Sequence, residues 1–160
     1  MKISLALLTA VLNGLAVADS RVPNTSFICE RSDASPYLHN VNEMIGNLND
    51  ASAGENVCNS GPVNGCGDTW TGYSGEGGAA FMVCGPGMRC SGDPGGMPCT
   101  GAGCGGIFAK FIGEDLESLR DECQGPDSDG DIRVGGRVVY EVSDDSDLDS
   151  DELKLFSKPG

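Results

Sequence analysis

The chain has 160 residues with ten basic and 24 acidic side chains, a formal net charge of −14 at pH 7, eight cysteines and 25 glycines. Such a field repels polyanions, and no basic run occurs anywhere, so nucleic acid and anionic membrane are set aside as partners. Large apolar residues are few and there is one tryptophan, which implies a small core that needs support from elsewhere.

The first residues read as a secretory signal peptide over 1–18. Lys2 supplies the charge, Ile3 to Leu12 the apolar run, and Ala16-Val17-Ala18 the small-residue cleavage site before Asp19. That run is shorter than the roughly 20 residues needed to cross a bilayer, and no later stretch comes closer, so membrane insertion is not expected. Loss of Lys2 with the leader leaves nine basic against 24 acidic residues, a mature charge of −15. The expected product is a soluble, secreted, extracellular monomer. All eight cysteines (Cys29, Cys58, Cys66, Cys84, Cys90, Cys99, Cys104 and Cys123) lie beyond the leader, and an even number in an oxidising compartment predicts four disulfides of open connectivity. A zinc site would need close Cys or Cys/His pairs. The nearest cysteines, Cys99 and Cys104, are too far apart in sequence, and His39 is the only histidine, so no metal is expected.

Residues 19–25 form a polar lead-in, with Asn24-Thr25-Ser26 a candidate N-glycosylation sequon. Phe27, Ile28 and Cys29 mark a strand over Thr25 to Glu30. Ser35 is placed to cap a helix that Pro36 opens, with Leu38, Val41, Ile45 and Leu48 as its buried stripe and Asn40, Asn42, Glu43 and Asn47 toward water. From Gly61 to Gly106 the chain carries sixteen glycines and five cysteines, which implies long ordered loops held by cross-links. Strands are expected over Glu55 to Asn59 and Ala79 to Cys84. A second helix runs from after Gly106 to about Cys123, with Phe108, Phe111, Ile112, Leu116 and Leu119 on one side, and Gly125-Pro126 ends it. Gly136 to Val142 alternates as a half-buried strand, Val138, Tyr140 and Val142 facing one way. Ser143 to Glu152 holds six acids in ten residues, so residues 144–160 are expected to form a disordered acidic tail.

This order predicts an α+β fold in one disulfide-rich domain over 26–143 with a Gly/Cys-rich loop region at 61–106. The arrangement expected is a small α/β sandwich of split β-α-β type, with two helices on one face of an antiparallel sheet. Catalytic constellations are absent from the pattern. His39 has no partner histidine, and no pair of acids is singled out by apolar neighbours, so no catalytic residue and no cofactor are expected. The aspartates from Asp127 to Asp131 have the wrong spacing for a calcium loop and read as a solvated turn. Trp70 and Tyr73, in the polar loop Asp68 to Tyr73, are the candidate binding residues, since such rings anchor a partner or stack on a sugar; the preferred reading of Trp70 is nevertheless that it plugs the thin disulfide-held core.

The Phe27-Ile28-Cys29 start, Ala34-Ser35-Pro36, the Ala79 to Cys84 strand, the helix ending near Cys123 and the turn Arg133-Val134-Gly135-Gly136 together resemble the fungal secreted effectors with a necrosis-inducing factor domain. Those proteins are similar in architecture to the killer-toxin-like α/β sandwich proteins. The resemblance covers roughly residues 26 to 142. It departs from the family in lacking a cysteine between Tyr37 and Val57 and another between Gly136 and Val142. The implied function is a non-enzymatic effector or virulence protein that binds an extracellular host or microbial protein or glycan. The alternatives are a killer-toxin-like antifungal protein and a secreted hydrolase using carboxylates.

Overall fold

The computed structural model describes residues 25–50, 56–62, 64–72, 75–88, 106–140 and 151–158. The first strand, β1 (Thr25–Cys29), leads into α1 (Leu38–Asn49), then the short β2 (Asn56–Val57) and β3 (Trp70–Thr71). The longer β4 (Gly78–Cys84) is followed by β5 (Ile107–Phe108) and α2 (Ala109–Cys123). The chain closes with β6 (Gln124–Pro126), β7 (Ile132–Val134), β8 (Gly136–Tyr140) and β9 (Asp151–Lys158).

Five of these strands form one sheet in the order β1-β8-β9-β4-β3, every neighbouring pair antiparallel. The period-2 pattern of strands explains its two faces. Register sets Val138 opposite Leu153 and Leu153 opposite Val83, with Phe81 opposite Leu155, so these side chains line one face. They are buried together with Val41, Met44 and Ile45 of α1 and Ile112, Leu116 and Leu119 of α2 in one core cluster. β2–β5 and β6–β7 are separate two-stranded ribbons. Among the described residues the fold is therefore α+β, with two helices and antiparallel sheets.

β9 corrects the sequence reading most strongly, because residues 151–158 are not a disordered tail but the central strand of the sheet. The physical reason is visible in Asp151-Glu152-Leu153-Lys154-Leu155-Phe156. Leu153 and Leu155 point into the core while Glu152 and Lys154 face outward and form an ion pair at 3.0 Å. Averaging over the aspartates before residue 151 hides this alternation. The domain accordingly reaches residue 158, and residues 141–150 lie outside the described set.

Three smaller expectations also change. Tyr37, not Ser35, occupies the N-cap position of α1, with no side-chain cap; the buried Ser35 Oγ instead accepts the Ser32 N–H at 3.0 Å. Asn40 does not face water but is fully buried, its Nδ2 donating to the carbonyls of Glu76 and Gly77 at 3.0 and 2.9 Å, which ties α1 to the turn before β4. Phe108 precedes α2 as part of β5 and stays 47% exposed, its ring edge-on to Phe111.

Two disulfides join described residues. Cys29–Cys123 links the end of β1 to the end of α2 across 94 residues of chain, and Cys66–Cys84 links the loop before β3 to β4 across 18. Cys58 is disulfide-bonded as well, and no free cysteine occurs among the described residues. Cys90, Cys99 and Cys104 lie outside them.

Candidate functional site

Trp70 sits on β3, the two-residue strand at one edge of the sheet. Its cross-strand partner is Phe81, and the two rings stack with centroids 6.3 Å apart and planes 11° from parallel. Phe81 is core, whereas Trp70 keeps 39% of its surface in solvent. The expectation that Trp70 plugs the core is thus corrected: the indole is seated on the core through Phe81 but stays open to the outside. An amphipathic ring held in this way offers contact area with little entropy left to lose.

The backbone beneath Trp70 is fixed on both sides. Gly85 N–H donates to Gly65 O and Gly67 N–H to Val83 O, at 3.0 and 2.9 Å, while Cys66 pairs with and is bonded to Cys84. Beyond β3, Gly72 N–H donates to Ala79 O at 3.0 Å. Gly72 also lies so close to the Met44 side chain that a Cβ there would collide with it, so the α1 core directly supports the loop.

Asn59 is the hub of this loop and was not marked by the sequence reading. It is 2% exposed, its Nδ2 donates to the carbonyls of Pro62, Gly65 and Gly85 at 3.1, 2.8 and 3.1 Å, and its Oδ1 accepts the Gly61 N–H at 2.8 Å. The available signal was its place in Cys58-Asn59-Ser60-Gly61, where an asparagine between turn residues can bond the backbone around it. Next to it, Ser60 and Asp68 bond one another at 3.1 Å on the exposed rim, so the platform carries an acidic margin.

Two polar clusters elsewhere serve the fold. Arg133 lies over the Tyr37 ring, 3.4 Å from its centroid, donates from Nε to Asp127 Oδ2 at 2.7 Å and from Nη1 to Ser35 O at 3.1 Å. The Arg133 hydrogen bond holds the Asp127 carboxyl below the usual carboxylate range, against the opposing effect of burial. Asp127 Oδ1 also accepts the N–H groups of Asp129 and Asp131, so the aspartate-rich turn is internally bonded around it. Under the sheet, Tyr140 Oη donates to Asp115 Oδ2 at 2.8 Å, and burial, with help from Asp115 and Asp151, pushes the phenol far up. Asp151 is 5% exposed and accepts the Gly87 N–H at 2.9 Å; burial raises its carboxyl, opposed by the N–H groups of Gly87 and Met88.

The predicted site residues are thus only partly brought together. Trp70 is placed on the platform, and Tyr73 and Asn24 lie outside the described residues. His39 is exposed and stacks on Tyr37 at 5.5 Å. Among the described residues, no group of three or more His, Cys, Asp or Glu side chains is arranged to hold a metal, and no helix is long and apolar enough to cross a membrane. No protein-family model, curated protein or solved structure matches this chain.

Proposed function

We infer that this is a secreted, effector-type protein that works by binding an extracellular host or microbial component, with Trp70 as the centre of the contact. One observation carries the reading: a half-exposed indole stacked on a core phenylalanine, on an edge whose backbone is tied down by a disulfide and by Asn59. Binding hot spots favour tryptophan in such rigid settings, and a pre-formed ring suits a sugar face or an apolar side chain. Asp115 and Asp151, which both act on the Tyr140 phenol, accept from that phenol and from the Gly87 N–H respectively, which favours binding over carboxylate-dependent hydrolysis.

The finer fold reading belongs with this proposal. β4 and β8 run the same way on either side of β9, and α2 lies between them in the chain, which supports the split β-α-β sandwich shared by the effector and killer-toxin-like proteins.

Purified wild type and Trp70→Ala, compared on a glycan array and by infiltration into leaf tissue, test the proposal. The wild type is expected to bind or to elicit necrosis, and the variant to lose at least about tenfold in response, the effect of removing a contact worth about 1.4 kcal/mol. An equal response from both proteins would remove Trp70 from the site.

A further inference from the structure

The shape of the Trp70 edge disfavours an added strand and leaves its side chains to make the contact. Between the bridges Cys66↔Cys84 and Trp70↔Phe81 the loop side has three residues against two on β4, a bulge of the kind that blocks strand addition, and β3 itself is two residues long. What the edge presents is a ring and a carboxylate. Phe81 stacks against one face of the indole, while 39% of Trp70 stays in solvent. Asp68, two residues before it, is exposed; its Oδ2 accepts the Ser60 hydroxyl at 3.1 Å and its N–H donates to the same hydroxyl oxygen at 3.2 Å, which holds the carboxylate at the head of β3. No basic residue competes for it in this part of the sequence: Ser32 to Met88 has six acids and no lysine or arginine, in a chain of net charge −14.

An electron-rich ring flanked by a carboxylate suits a guanidinium, which is attracted to the π face and pairs with the anion through its in-plane N–H groups. The fold uses this chemistry internally: Arg133 lies 3.4 Å from the centroid of the Tyr37 ring and donates to Asp127 Oδ2 at 2.7 Å. Trp70 and Asp68 turn the same two kinds of group outward. We propose that the component bound at this edge is a basic polypeptide, one of whose arginine side chains lies on the indole and pairs with the Asp68 carboxylate. The acidic surface draws such a partner in from a distance, in a salt-dependent way. Such a partner presupposes that Trp70 is the contact, as proposed above, and narrows the extracellular components that suit it to cationic chains.

Fluorescently labelled hexa-arginine, titrated with the oxidised protein and followed by polarisation, tests this beside uncharged hexa-citrulline and a hexamer of N-acetylglucosamine. Hexa-arginine is expected to bind most tightly, and to bind less tightly as salt rises from about 0.05 M to about 0.5 M. Trp70→Leu should weaken it about tenfold and Asp68→Asn about threefold. Trp70→Phe, which keeps a ring over Phe81, should retain most of the affinity, and Asp129→Asn, which removes an equal charge from the aspartate-rich turn, should leave it unchanged. Absence of hexa-arginine binding, equal weakening by the two aspartate variants, or no weakening by Trp70→Leu would overturn the proposal. A Trp70-dependent preference for the sugar hexamer would overturn the cationic partner and keep Trp70 as the contact, whereas indifference of all three probes to Trp70→Leu would remove the contact itself. Where Trp70→Leu does not fold, Asp68→Asn, changed at an exposed position, decides.

Discussion

At the scale of single residues, two aspartates in different settings predict opposite responses to acid. Asp127, bonded to Arg133, is held below its ordinary range, so it stabilises the fold above the unfolded value of roughly 4 and loses that contribution as pH falls through its lowered folded value. Asp151 is raised by burial, so its proton is bound more tightly in the folded state. Its ionisation weakens the fold as pH rises from roughly 4 through the raised folded value. Urea unfolding between acid and neutral pH measures both. Asp127→Asn should flatten the acid-side loss, Asp151→Asn should remove the decline toward neutral pH, and parallel curves for all three proteins would contradict the assignment. Neither role was legible from the sequence. The acids are so numerous that composition cannot distinguish an aspartate facing Arg133 or two backbone N–H groups from one facing water. Asn40 and Asn59 were hidden for a related reason: a buried amide looks like any polar residue until the carbonyls it serves are placed around it.

At the scale of elements, local periodicity was legible wherever one face is buried. β1, β4, β8 and both helices stand close to where alternation or the 3.6-residue stripe put them, because burial of that face is what makes those segments fold. β9 was missed because its charged outward residues, adjoining an acidic run, outweigh Leu153 and Leu155 in a composition window. Its position between β8 and β4 has a consequence: its removal exposes the inner edges of both neighbours and empties the centre of the core. Leu155→Ala should cost about 2–5 kcal/mol by cavity formation. A chain ending at residue 150 should show no cooperative unfolding transition by circular dichroism. Native-like unfolding of that truncation would return residues 151–158 to the role of a tail.

At the scale of the whole molecule, a small core is held by covalent links at its ends. The helices and five-stranded sheet share a single apolar cluster, Cys29–Cys123 ties the outer strand to the last turn of α2, and Cys66–Cys84 ties the Trp70 loop to β4. By chain entropy, the link across 94 residues contributes about 4–5 kcal/mol and the one across 18 about 3 kcal/mol. Those are large shares of a domain's usual margin of 5–15 kcal/mol. The cross-linked character was legible from the even count of eight cysteines; which of them pair was not, because pairing follows from the folded path. The most direct test of the account is the fluorescence of Trp70, the one tryptophan, followed through urea unfolding of the oxidised and the fully reduced protein. A cooperative transition is expected for the oxidised form and, for the reduced form, solvent-exposed emission before any urea is added. A reduced protein that keeps the native emission and the same midpoint would contradict this.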